Sequence, residues 1–256
     1  MFNLKTISKI KQLKGLFIAY LLMSSLSLSG QKIQLLGATS LEKEDLVKVK
    51  MHLGFQKRFL EKIGVSQDQQ RIIRLAVYDD FLNYSQVLKG CCRQNPTATG
   101  FYATELDQIN VFKNEEFEFT YAHELVHALT KASRIDQIPW LREGLADYLG
   151  AFYWLPNGEL NRRNIYPADQ LNLNLSKRQL AGFIEASEAE WAKRSTIASY
   201  GLAWALISFL HDEKRPFFIQ LIQKLDEGES QMQVFDAYPG GFKKFAKEFR
   251  TYYEIN

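Results

Sequence analysis

Between Leu41 and Ile63 the apolar residues Leu46, Val49, Leu53, Phe55, Phe59, Leu60 and Ile63 recur at helical spacing, with lysines and glutamates between them. That pattern predicts an amphipathic helix. Ile72 to Tyr78 is a short unbroken apolar run closed by Asp79-Asp80, and its length and polar boundary predict a buried strand. A short helix is expected over Phe81 to Leu88. Gly90 to Gly100, with its glycine, proline, asparagine and threonine, is a loop by composition. Gly100 to Thr104 and Gln108 to Phe112 then read as two strands of a hairpin turning through Glu105-Leu106-Asp107. Asn114 is placed to cap the next helix, with Glu115 and Glu116 in its first turn.

After Leu155, Pro156-Asn157-Gly158 marks a turn and Asn161 to Asn174 is polar and irregular. Helices are predicted over Ser176 to Ala186, Ser199 to Asp212, and Pro216 to Leu225 with proline in the first turn. Gly228 breaks the pattern before a short helix at Gln231 to Ala237. Pro239-Gly240-Gly241 then precedes a final amphipathic helix, Phe242 to Tyr253. No internal repeat is present. The expected fold class is therefore α+β and predominantly helical: a small N-terminal mixed sheet, a central pair of helices, and a helical C-terminal part.

Residues 1–30 depart from this picture. Lys5, Lys9, Lys11 and Lys14 precede an apolar run from Leu16 to Met23, followed by Ser24, Ser25, Ser27, Ser29 and Gly30. This reads as a secretory signal peptide cut between Ser27 and Gly30, with an uncleaved membrane anchor as the weaker alternative. The expected organisation is a signal peptide over 1–30 and one domain over 31–256, with sheet and central helices in 31–155 and the helical part in 156–256. The chain's formal charge of +3 falls to −1 once the four leader lysines are set aside, which removes the basic-patch argument for nucleic acid. Cys91 and Cys92 are the only cysteines, and two adjacent sulfurs suit one metal ion poorly.

The candidate chemistry lies in His123-Glu124-Leu125-Val126-His127 and Trp140-Leu141-Arg142-Glu143-Gly144-Leu145-Ala146-Asp147-Tyr148. On a helix His123 and His127 stand one turn apart on one face, so both imidazoles can reach one ion. Glu124 is rotated about a quarter-turn from His123, off the metal and beside a metal-activated water. A zinc site that does chemistry needs a third protein ligand and an open fourth position. Glu143, on a second helix begun by Pro139 and Trp140, is the candidate. Asp147, one turn later on the same face, is placed to accept the other ring N–H of His123.

These two segments resemble the gluzincin metallopeptidases, the group that includes thermolysin and the aminopeptidases of the leukotriene A4 hydrolase type, and most closely their small bacterial peptidase MA-like branch. The resemblance covers roughly residues 109 to 150. It implies a zincin fold, one zinc ion bound by His123, His127 and Glu143, Glu124 as general base, and Asp147 as a supporting acid. The interval between His127 and Glu143 is shorter than in the best-known gluzincins, so Ser133 to Ile138 must turn tightly for the second helix to return antiparallel. Tyr200 resembles in position the tyrosine that aminopeptidase-like gluzincins place after the third ligand, which makes it a candidate oxyanion donor against the more ordinary reading of packing, with His211 as the rival donor or ligand.

Of the remaining histidines, His211 beside Asp212 and Glu213 fits a helix C-terminal capping role, and His52 a surface or boundary position. Gln108 to Phe112 is a candidate edge for an extended peptide. The resulting expectation is an exported zinc metallopeptidase acting on peptide or protein substrates, with no nucleic acid and no membrane span after leader removal. A catalytically silent binding or scaffold protein of the cell envelope and a metal-free helical interaction domain are the alternatives.

Overall fold

The structure is a computed structural model that describes residues 25–28, 31–36, 41–68, 70–91, 98–155, 157–166, 171, 173, 175–194 and 196–254. The remainder of the leader, Cys92, the Cys91 side chain and the 92–97 part of the expected loop lie outside the described residues. The architecture is the expected one, α+β with a small mixed sheet followed by a helical part.

The sheet is built from β1 (Ser25–Leu28), β2 (Gln31–Leu36), β3 (Ile72–Tyr78), β4 (Gly100–Ala103) and β5 (Gln108–Phe112), in the order β1-β2-β3-β5-β4. β2 and β3 run parallel with Ile33 opposite Ile73, and β3 and β5 run parallel with Leu75 opposite Ile109. Helix α1 (Lys43–Lys62) makes the crossover between β2 and β3. Its N-terminus is closed by a capping box in which Asp45 accepts the Glu42 N–H at 3.0 Å. β1, which lies inside the expected leader and would be lost with it, and β4 are antiparallel edges, and β4 returns to β5 through a tight turn with Asp107 in the left-handed region at φ 50°.

This order corrects one expectation. Gln108–Phe112 is an interior strand, paired on both sides, and the free edge beside the central helices is Gly100–Ala103. The buried pattern of β5, with Ile109, Asn110 and Val111 all covered, is that of a strand enclosed between neighbours. Phe112 N–H donates to the Thr99 carbonyl at 2.8 Å, so in the antiparallel alternation Thr99, Phe101 and Ala103 pair inward. The main-chain groups of Gly100 and Tyr102 point outward.

One face of the sheet packs Ile33, Ile73, Leu75, Ile109 and Val111 against α1 and α3 (Phe117–Thr130) in the main core. The other carries a smaller cluster of Tyr84, Leu88, Phe101 and Ala103 under α2 (Phe81–Cys91). α3 begins two residues later than its sequence suggests, with Glu116 rather than Asn114 at the cap position. Asn114 uses its side chain to accept the Glu116 N–H at 3.0 Å and its carbonyl to accept the Phe117 N–H at 3.1 Å, forming the turn that precedes the helix. A 3-10 turn at Arg134–Gln137 then leads into α4 (Pro139–Gly150), with proline in the first helical turn.

The turn that carries Asn157 and Gly158, the latter at φ 82°, belongs to a two-stranded hairpin that the sequence pattern does not announce, β6 (Phe152–Trp154) and β7 (Leu160–Arg162). The C-terminal part comprises α5 (Lys177–Ile184), α6 (Glu188–Trp191), α7 (Thr196–Glu213), α8 (Arg215–Glu227), α9 (Gln231–Asp236) and α10 (Gly241–Glu254). Helix α7 is buried continuously from Leu202 to Leu210, which is why its sequence is apolar on every side. It lies directly behind α4. A side-chain carbon at Gly144 would stand 2.7 Å from the Ala203 carbonyl oxygen, so only glycine permits that approach. Among the described residues, no helix is long and apolar enough to cross a membrane.

Candidate metal centre

The two central helices are antiparallel, because His123 of α3 meets Asp147 of α4 while His127, one turn on, meets Glu143, one turn back. The short connection achieves this through its 3-10 turn. Ser133 caps the turn, and Asp226 of α8 ties it down by accepting from Ser133 Oγ at 2.6 Å and Arg134 N–H at 2.8 Å.

The result brings three potential ligand atoms together. His123 Nε2 and His127 Nε2 are 3.1 Å apart, and each is 3.6 Å from Glu143 Oε2. Ligands about 2.0–2.1 Å from an ion in tetrahedral disposition stand about 3.3 Å from one another, so the trio can hold one divalent ion with a position left open. Two neutral imidazoles and a carboxylate are also a donor set suited to such an ion. Among the described residues this is the group of His, Cys, Asp and Glu side chains able to do so.

The surroundings orient these atoms. Asp147 Oδ1 accepts from His123 Nδ1 at 2.8 Å, which leaves Nε2 with its lone pair towards the cluster. The second Asp147 oxygen is held by Tyr166 O–H at 2.7 Å. Glu143 Oε1 accepts from Arg142 Nε at 2.9 Å, turning Oε2 to the histidines. Arg142 is itself fixed by the Asp136 carbonyl at 3.1 Å and by both oxygens of Glu188 at 3.1 Å. His127 has no such support: its Nδ1 is buried without a partner among the described residues.

Electrostatics follow the geometry. Burial pushes the Glu124 carboxyl above the usual range, only partly opposed by the two histidines, and the Tyr102 main-chain N–H also reaches it. Burial would likewise raise Glu143, but the charge of His127 and hydrogen bonds from both histidines hold it well below the ordinary carboxylate range. Burial disfavours the charged form of His123, yet hydrogen bonds to Asp147 and Glu143 outweigh it and lift the imidazole well above its usual value.

His123, Glu124, His127 and Glu143 line a cleft of about 410 Å³ whose opposite wall is the outward edge of β4. A side-chain carbon at Gly100 would sit 2.4 Å from Thr120 Cγ2 and 3.2 Å from Glu124 Cγ, so glycine lets the edge strand lie against the helix at the base. Tyr200, at the start of the second turn of α7, also lines the cleft, hydrogen-bonds to Glu143, and packs its ring on Trp191 at 5.8 Å. Burial and the charges of Glu143 and Asp147 push its phenol well above the ordinary range, so it is a donor at neutral pH.

The other histidines lie elsewhere. His211 contacts Asp212 Oδ1 at 2.9 Å and Tyr148 O–H at 2.7 Å at the far end of α7. His52 is not a surface residue: it is fully buried, hydrogen-bonded to Glu118 at 3.1 Å and set edge-on to Trp154 at 4.6 Å. Its partners come from α3 and from the unannounced hairpin, so the α1 sequence alone does not show what encloses it. Arg142 and Tyr166 are site residues that sequence reasoning passes over. Arg142 stands beside the third candidate ligand, whereas Tyr166 lies in an irregular stretch with no pattern to reveal it. No protein-family model and no curated protein sequence matches this chain.

Proposed function

We propose that the protein is an exported zinc-dependent metallopeptidase of gluzincin type, with His123, His127 and Glu143 as metal ligands. The observation that carries this reading is the meeting of three ligand atoms, 3.1 to 3.6 Å apart, beside a buried Glu124 that is not among them. A purely structural zinc site has no need of that carboxylate and is usually closed by four protein ligands.

Zinc bound there would supply Lewis acidity, lowering the pKa of water and polarising a carbonyl oxygen. Glu124 accepts a proton as water adds to the scissile carbonyl carbon, and returns it to the amine nitrogen as the C–N bond breaks. Burial raises its carboxyl above the usual carboxylate range, the direction that favours a group which must return the proton it takes. Tyr200 lines the cleft with its O–H on Glu143, from which it would have to turn to serve the developing oxyanion. The outward main-chain groups of β4 suit an extended peptide backbone, which supports peptides over other amides as substrates.

The test is to measure zinc in the purified protein and peptide cleavage by wild type and Glu124→Gln. The expected result is one zinc per chain in both, with cleavage lowered about 10²- to 10⁴-fold in the variant. Absence of stoichiometric zinc, or cleavage untouched by the substitution, would overturn the reading. Zinc without turnover would leave the binding or scaffold role. Export rests on the lysine-rich, then apolar segment of residues 1–30. N-terminal sequencing of the mature protein checks it, and a chain retained in the cytoplasm with Met1 in place contradicts it.

A further inference from the structure

The two ends of the cleft differ. Leu88, Ala98 and Phe101 make one end apolar, whereas the other carries Thr104, Asp136 and Arg142. Arg142 ties the main chain of Asp136 to the candidate ligand, with its Nε on Glu143 at 2.9 Å and its Nη1 on the Asp136 main-chain carbonyl at 3.1 Å, and Asp136 lines the same cleft.

Asp136 is half-buried, and among the described residues no cation forms an ion pair with its carboxylate. Among the described residues the nearby cations are engaged by other carboxylates or main-chain groups or lie elsewhere: Lys131 pairs with Asp107 and the Thr104 carbonyl, Arg134 lies towards Gly228, and Arg142 pairs with Glu143 and Glu188 while touching only the main-chain carbonyl of Asp136. Its side-chain contact is Thr130 Oγ1 at 3.5 Å, and that hydroxyl already donates to the Val126 carbonyl at 2.9 Å. An unbalanced anion on the wall of a cleft attracts a cation and disfavours another anion.

We infer that Asp136 is a specificity-determining residue that receives a cationic nitrogen of the substrate, a Lys or Arg side chain or a free amino terminus, beside the scissile bond. This deepens the peptidase reading and rests on it for the word substrate. The placement is directional: the cation belongs at the Asp136 end, and the residue across the scissile bond faces the apolar end.

The experiment separates the inference from the reading beneath it by using binding as well as turnover. Fluorescent peptides that differ only in Lys, Gln or Glu at one position, each with a free or an acetylated amino terminus, are titrated into zinc-loaded Glu124→Gln by anisotropy. The Lys peptide is expected to bind about tenfold more tightly than the Gln peptide. In the double variant with Asp136→Asn that ratio falls to near one, with Asp136→Glu it returns, and with Asp136→Lys it inverts in favour of Glu. Preference that survives acetylation assigns a side chain, and preference lost on acetylation assigns the amino terminus. Equal affinities in Glu124→Gln, or a ratio unchanged by Asp136→Asn, would overturn the inference. Failure of wild type to cleave peptides it binds with this preference would overturn the peptidase reading alone.

Discussion

Arg142 Nε donates to Glu143 Oε1 at 2.9 Å, so the side chain next to the third candidate ligand decides which of its oxygens faces the histidines. Because Glu188 and the Asp136 carbonyl also hold the guanidinium, it has little freedom to follow Glu143 if that carboxylate swings away. Arg142→Gln should weaken zinc affinity by about 10- to 100-fold, as loss of an orienting partner does. Competition with a chromophoric chelator reads this directly, and affinity within twofold of wild type would contradict the role. Arg142→Lys should recover only part of the loss, since an ammonium cannot keep the same fork of hydrogen bonds.

Asp147 supports His123 in the same manner, through a 2.8 Å contact to Nδ1, and is braced in turn by Tyr166. Asp147→Asn is expected to cost about 10- to 100-fold in metal affinity, and Tyr166→Phe distinctly less, because it leaves the carboxylate in place. If Tyr166→Phe cost more than Asp147→Asn, the direction of support would be the reverse.

Zinc affinity should rise with pH. In the metal-free protein Asp147 and Glu143 lift the pKa of His123 well above its ordinary value, so a proton occupies the position an ion needs and is released on binding. The sign for stability is opposite in the two forms. The raised folded-state pKa stabilises the metal-free protein below about pH 6.5, the unfolded value, and this contribution is lost as pH rises through the folded value. The increase in Tm produced by zinc should therefore grow from about pH 6 to about pH 8. Calorimetry with and without zinc would detect a flat or falling increment, which is the contrary result.

Gly144→Ala should destabilise the protein by about 1–3 kcal/mol, because the new carbon meets a main-chain oxygen of α7 that cannot turn aside. Gly182 provides the contrast. It lies within α5, and a side-chain carbon placed there would have nothing within 4 Å, so Gly182→Ala should be neutral or stabilising by up to about 1 kcal/mol. Equal effects in urea denaturation would show that close helix contact is not what glycine serves at 144.

The parts legible in the sequence are those encoded by local periodicity. The spacing of His123, Glu124 and His127 fixes their faces on any helix, and Pro139 marks the start of the next, so their relative rotation can be read directly. Strand order cannot. Gln108–Phe112 and Gly100–Ala103 are both short apolar runs, and which of them forms the edge depends on pairing with Ile72–Tyr78, more than 25 residues away in sequence. His52 escapes for the same reason: Glu118 and Trp154, which enclose it, come from elements far along the chain. Tyr166 reaches Asp147 from a stretch without regular structure, where no spacing rule applies.

The packing of α4 on α7 has a consequence for how the protein comes into being. All three candidate ligands have been synthesised by residue 143, but Gly144 rests on Ala203, Arg142 is held by Glu188, and the turn before α4 is anchored by Asp226. A nascent chain that has emerged only as far as residue 155 carries every ligand and lacks the scaffold that orients Glu143. Metal capture is thus expected to be a late event in the life of the chain, after its C-terminal helices have folded back.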